Sequence, residues 1–342
     1  MSKSTRTHHS PRRQAPHRSL RRHHIAAATL AMLGASSHAA PVNWVGGDDG
    51  FWDVTGNWDT GQPGATADVQ LLAFNTTLRS GNYGLRSLAG TGRLTLSGGS
   101  LSFTEASTLG SMLLSGGSLG GSGTLVVSGA SEWQRGVLSG AGAATFSGGL
   151  AITGTDVHDI VGKRLVLGGI STWNNANAGN LGQIRMGNGA VIDNSGSFLD
   201  QTNASTTINN AYGGGATFVN SGTYTKTGTG TTTVQTVFNN TGTINGTGLL
   251  VLTAGGTHTG NFAMDAGGTV QLNGGTHSFG GTNTTGGAGR LLLSNGATAT
   301  AAGGSMSTNA RWDLEGGTVS GAGNLALNGI ANWTGTVFNG GS

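Results

Sequence analysis

The sequence predicts an all-β fold: a right-handed parallel β-helix, or β-solenoid, with an aromatic N-terminal cap. Three observations predict it. Glycine supplies 66 of the 342 residues, proline only 4, and charged side chains only 9%. Past residue 39 no segment holds a helical apolar period, whereas short apolar/polar alternations recur between Gly-Gly, Asn-Gly and Ser-Gly pairs. These units return at intervals of about 20 residues, a period that marks solenoid coils.

The same totals exclude other classes. There is no strict Gly-X-Y period, so the chain is not collagenous. Hydrophobic residues make up 35% of it, enough to build a core, and the low charge is unlike that of a disordered tail. With no cysteine, disulfides, thiolate nucleophiles and cysteine-ligated metals are ruled out. A long stack gains stability from neighbouring coils instead.

Residues 1–39 read as an export signal peptide. Lys3, Arg6, Arg12, Arg13, Arg18, Arg21 and Arg22 give a basic start with no acid. Ile25 to Gly34 is a short apolar run, and Ser37-His38-Ala39 places small residues before a cut at Ala40. Arg21-Arg22 leaves both the general and the twin-arginine export routes open. Abundant Arg and Ser also suit a mitochondrial-type presequence, but the body that follows favours export. Without this leader the chain holds 10 basic and 14 acidic residues, so 10 − 14 gives −4. Such a body has no electrostatic footprint for nucleic acid.

Residues 40–70 are expected to cap the first coil. They hold Trp44, Phe51, Trp52 and Trp58 and break the repeat pattern, as a terminal repeat must. Residues 71–342 form the repeat region, expected to be incomplete at its C-terminus because Asn339-Gly340-Gly341-Ser342 stops in mid-repeat.

Strands are predicted at Leu94-Thr95-Leu96, Leu101-Ser102-Phe103, Leu125-Val126-Val127, Leu165-Val166-Leu167, Leu249-Leu250-Val251, Val270-Gln271-Leu272 and Leu325-Ala326-Leu327. Asn194-Ser195-Gly196-Ser197-Phe198 returns as Asn220-Ser221-Gly222-Thr223-Tyr224, and again as Asn240-Thr241-Gly242-Thr243-Ile244. Gly255-Gly256-Thr257-His258 returns as Gly274-Gly275-Thr276-His277. Gly117 to Trp133 also aligns without gaps to Gly317 to Trp333. Coils of two or three strands stacked at about 4.8 Å predict about 15 coils and a rod roughly 70 Å long. Repeated Asn and Thr are expected to stack as ladders along it.

Trp44-Val45-Gly46-Gly47-Asp48-Asp49-Gly50-Phe51-Trp52, followed by Asn57-Trp58, Pro63 and Asp68-Val69, resembles the opening of exported bacterial β-helix proteins with autotransporter-type, adhesin-like passenger domains. The Phe238–Asn245 run and the Gly-Gly-Thr-His runs resemble repeats of the same group. The resemblance covers nearly all of the body after the leader. It implies a secreted or cell-surface stalk acting by multivalent contacts, exported to the extracellular or outer surface of a bacterium. The implied partners are host-cell or matrix glycans and proteins, or other cell surfaces. No C-terminal translocator barrel and no Arg-Gly-Asp triplet accompany it.

Several groups could carry chemistry. Asp48, Asp49 and Asp53 offer hard oxygens for Ca²⁺, but without EF-hand or nonapeptide spacing they read better as turn caps. Asp156, Asp159 and Asp193, with His158, Lys163, Arg164 and Arg185, form the one stretch mixing acids and bases. It also interrupts the repeat, so a cleft there would suit the alternative reading, a β-helix polysaccharide lyase or glycoside hydrolase. His258 and His277 are expected on neighbouring coils, where a third zinc ligand is lacking. Trp133, Trp173, Trp312 and Trp333 suit sugar stacking or packing, and the equal repeat positions of Trp133 and Trp333 favour packing. No catalytic, metal or cofactor-binding residue is assigned and no cofactor is expected.

Overall fold

The computed structural model describes residues 40–175, 182–280, 284–301 and 305–340. The leader therefore lies outside the described residues. The chain divides into two units, Met1–His38 and Ala39–Ser342, and all described residues belong to the second.

That unit is a parallel β-solenoid of about 13 turns. Among the described residues its strands form three sheets, of 15, 14 and 13 strands. From Asp68–Leu72 onward, each strand pairs in parallel with the one three places along the chain, so each turn gives one strand to each sheet. The first sheet runs from Val42–Asn43 through Asp68–Leu72 to Val337–Gly340, the second from Gly50–Phe51 to Asn324–Leu327, and the third from Asn82–Leu85 to Ala331–Trp333. Each of the predicted strand runs lies inside an observed strand. The one helical element among the described residues is a 3-10 turn at Thr55–Asn57. No helix among them is long and apolar enough to cross a membrane.

Alternation explains the core. In Arg93–Leu96 the leucines are buried and their neighbours are not; Ser100–Phe103 and Thr223–Lys226 repeat the pattern. One continuous apolar cluster results, running from Trp44 and Val69 to Trp312 and Leu314. Facing strands bury the inward side chains of each rung against one another and against the rungs above and below.

Corners turn on glycine. At Gly222 a Cβ would lie 2.0 Å from the carbonyl oxygen of Gly196, and at Gly242 it would lie 2.0 Å from that of Gly222. Successive corners stack backbone on backbone, leaving no room for a side chain.

Three expectations about register are corrected. Coil length is not uniform. Ser107 pairs with Leu125, whereas Arg164 pairs with Val191, across a coil half as long again. Corners absorb the extra residues, so the chain makes about 13 turns rather than 15. The two Gly-Gly-Thr-His runs are not equivalent either: Gly256 pairs with His277 rather than Gly275, and His258 with Phe279 rather than His277. A slip of two leaves every side chain on its own face, because the strand period is two. The long alignment of Gly117–Trp133 with Gly317–Trp333 also fails in space. Leu125–Val127 belongs to the first sheet but Asn324–Leu327 to the second, and Ser131–Trp133 belongs to the second but Ala331–Trp333 to the third. Trp133 is 1% exposed and Trp333 65%.

Candidate functional site

A trough lies at the corner that follows the second sheet. Ser97, Ser115, Gln134 and Thr153 follow Leu96, Leu114, Trp133 and Ile152, which are register partners on four successive rungs. These four residues line it together with Arg135, Gly154, Thr155 and Asp156, and its volume is about 390 Å³. Arg135 closes one side: its Nε donates to the Ser115 carbonyl at 2.6 Å, and its Nη1 lies 3.6 Å from Asp156 Oδ2. Nearby, Glu132 Oε1 accepts from Gln134 Nε2 at 2.9 Å and Thr153 Oγ1 at 2.8 Å. These two bonds hold the Glu132 carboxyl below its ordinary range. The trough thus offers hydroxyls, an amide and one exposed ion pair, suited to hydrogen bonding with a polar chain lying along the stack.

The acids named as a possible catalytic pair do not meet. Asp156 lies at this corner, Asp159 in the third sheet within His158–Val161, and Asp193 in the first sheet within Ala190–Asn194. Each answers an arginine: Asp156 with Arg135, Asp159 with Arg185 at 2.7 Å, and Asp193 with Arg164. The longer coil between Arg164 and Val191 is the irregularity legible in the sequence. It does not gather the three carboxyls around one bond, as glycosidic cleavage requires.

The other candidates also find structural places. Asp48 Oδ1 accepts from the Asn75 backbone N–H at 2.9 Å, and Asp49 takes the left-handed conformation with φ 60°. Both Asp53 oxygens accept from Arg79 Nε at 3.1 Å. Desolvation works to raise the Asp53 carboxyl, and its hydrogen bonds and the arginine charge together overcome this and hold it low. Among the described residues no three His, Asp or Glu side chains come together as a metal site would need.

His158 is buried, with Nε2 3.1 Å from both the Trp133 and Thr153 carbonyls, and burial lowers its pKa. His258 and His277 are buried and stacked, with ring centroids 5.3 Å apart and planes 16° from parallel. His258 Nε2 lies 3.0 Å from His277 Nδ1, and His277 Nε2 lies 3.1 Å from the Gly274 carbonyl. Neighbouring coils do bring the two together, though not at equivalent positions. Trp133, Trp173 and Trp312 are buried in the core, beyond the reach of a sugar.

Lys163 belongs to the charged stretch in sequence but is buried away from it. Its ammonium donates to the Gly142 carbonyl at 2.9 Å, and desolvation lowers its pKa to about 8.

Sequence reasoning missed a charged knot in the core. Asp200 and Lys226 end the strands Ser197–Asp200 and Thr223–Lys226, are register partners, and are both fully buried. Lys226 Nζ donates to Asp200 Oδ1 at 3.0 Å, Thr202 Oγ1 at 2.9 Å and the Thr202 carbonyl at 3.1 Å. Asp200 Oδ1 also accepts from Thr202 Oγ1 at 2.7 Å and from its N–H at 3.1 Å. Asp200 Oδ2 accepts from Tyr224 OH at 2.7 Å and Thr232 Oγ1 at 2.6 Å. Burial pushes the lysine down and, aided by the Asp200 charge, pushes the Tyr224 phenol well up. The signal was present. The shift that lays Asn194-Ser195-Gly196 on Asn220-Ser221-Gly222 also lays Asp200 on Lys226.

Fold and candidate sites together define a parallel β-solenoid with polar corners. No family model, curated protein or solved structure matches the chain.

Proposed function

We propose that this chain is the shaft of an exported bacterial surface protein, a stalk whose faces make many weak contacts with glycans or proteins of another surface. The observation that carries this reading is the unbroken stack. Three parallel sheets run through the described body with no other fold inserted. At about 4.8 Å per rung, about 13 turns span roughly 60 Å.

Its outward surface suits display rather than catalysis. Much of the sparse charge is neutralised in pairs such as Arg79–Asp53, Arg185–Asp159 and Arg290–Asp313. What remains is rich in hydroxyls and amides set side by side, for instance Thr207 beside Thr233 on the third sheet and Thr225 beside Asn245 on the second. Single contacts of that kind are weak, and many together become strong through effective concentration. The leader, if cleaved before Ala40, delivers the body outside. The lyase or hydrolase alternative would need acids other than Asp156, Asp159 and Asp193, which lie at one corner and on two different sheets.

The test is particles coated with the protein at increasing density and passed over cells and glycan-coated surfaces. Retention rising steeply with density supports the stalk reading. Retention no greater than that of bare particles at every density contradicts it.

A further inference from the structure

The core knot is arranged for a reaction as well as for packing. We infer that Lys226 and Asp200 condense into an intramolecular isopeptide bond that ties two adjacent rungs together covalently.

Four features carry the inference. The reacting groups sit on register partners in adjacent strands, so the backbone holds them together before any chemistry. That replaces a bimolecular encounter with a positioned one. Neither residue has any exposed surface. In such a place two charges are costly to hold, and a condensation that consumes both relieves that cost. Burial does lower the lysine's pKa. Two hydroxyls, Tyr224 OH and Thr232 Oγ1, converge on Oδ2 at 2.7 and 2.6 Å. They act as donors to the oxygen on which negative charge develops when the amine attacks. Finally, Thr202 Oγ1 touches both Lys226 Nζ and Asp200 Oδ1, at 2.9 and 2.7 Å, and so bridges the departing proton to the departing oxygen.

The step balances. The ammonium passes one proton to Oδ1 across their hydrogen bond, leaving a neutral amine and a carboxylic acid. The nitrogen lone pair attacks Cγ, and Oδ2 carries the charge between Tyr224 and Thr232. A second amine proton travels through Thr202 Oγ1 to Oδ1, the Cγ–Oδ1 bond breaks, and one water leaves. An ion pair of zero net charge becomes a neutral amide plus water, with no oxidant or cofactor.

The surroundings also fit the product. The new amide N–H finds the Thr202 carbonyl or hydroxyl, which the ammonium now uses. The new C=O keeps Tyr224 and Thr232 as its donors. Two buried charges disappear, and the departing Oδ1 leaves the Thr202 N–H, which now donates to it, to find another acceptor.

The test is the intact mass of the purified full-length chain under denaturing conditions, with a peptide map that also fixes its N-terminus. The expected result is a chain lighter than its sequence by one water, with a branched peptide joining the Asp200 and Lys226 segments. Lys226→Met then restores the sequence mass. Recovery of separate, unmodified Asp200 and Lys226 peptides from the wild-type protein overturns the inference. Because the mass is read on unfolded wild-type chain, the answer does not depend on any variant folding.

Discussion

The stacked imidazoles of His258 and His277 set an acid limit on the fold. Burial lowers their pKa values to about 3 and about 4, and the His277 charge adds to the shift at His258. An unfolded histidine titrates near 6.5, so below that pH the unfolded chain binds more protons than the folded one. The contribution of the pair is therefore intact above about pH 6.5, declines as pH falls, and is lost by about pH 3–4. Urea denaturation across this range is expected to show a loss of roughly 3 kcal/mol or more. The double variant His258→Asn, His277→Gln is expected to flatten that slope. Lys163 behaves with the opposite emphasis. Its pKa is lowered to about 8 with backbone carbonyls and no carboxylate as partners among the described residues, so its charge is a burden at neutral pH. Lys163→Met is expected to stabilise the fold by about 1–3 kcal/mol at pH 7. The advantage should shrink as pH rises from about 8 toward 10.5, because the wild-type lysine is then neutral in the fold.

Strands and corners hold neighbouring rungs in register. Asn194, Asn220 and Asn240 end three successive first-sheet strands and are register partners. Asn194 Nδ2 donates to Asn220 Oδ1 at 2.7 Å, and Asn220 Nδ2 to Asn240 Oδ1 at 2.8 Å. The ladder stops where the register meets Leu167 on one side and His258 on the other, and among the described residues Asn194 Oδ1 finds no hydrogen-bond donor at the Leu167 end. Asn220→Leu removes the middle rung and strands two buried amides. A cost of about 2–4 kcal/mol is expected in chemical denaturation. Gly242→Ala places a methyl group against the Gly222 carbonyl and is expected to cost about 1–3 kcal/mol through overpacking.

This is also the level at which the sequence was most legible. Alternation marks a strand whatever its partner, so Leu94-Thr95-Leu96 and Leu165-Val166-Leu167 could be placed directly. The Asn-Ser-Gly recurrence gave the true register because its ladder needs identical side chains on adjacent rungs. The Gly-Gly-Thr-His recurrence misled because glycine pairs mark corners, and corners of different length shift the register by even steps at no cost in burial. Trp133 and Trp333 matched in sequence but lie on different sheets, since a fixed offset accumulates the varied lengths of the intervening rungs. The Asp200–Lys226 knot escaped notice because charge in a sparse chain reads as surface. Only the register shows that its alternation position points inward.

For the whole body, stability is a sum over neighbouring rungs. Three buried tryptophans pack together near its first described rung. Trp58 meets Trp44 at 4.9 Å and Trp52 at 4.7 Å between ring centroids, and its indole N–H donates to the Trp52 carbonyl at 2.9 Å. Acting as a cap, this cluster would shield the sheet edge that a bare first rung exposes. Trp58→Ala is expected to cost about 3–5 kcal/mol locally. Hydrogen exchange should then quicken first in rungs near Val42 and Val69, before those near Asn220. Distance along the molecule is expected to follow rung number and not residue number. Because the chain has no cysteine, spin labels can be placed at will. Thr145, Val219, Ser278 and Ser320 lie on the first sheet, with Val219, Ser278 and Ser320 three, six and eight rungs from Thr145. Dipolar distances from Thr145 to the other three are predicted to fall on one line with a slope of about 4.8 Å per rung. Distances that do not increase in that order, as in a sandwich or a helical bundle, would contradict the stack and the stalk built on it.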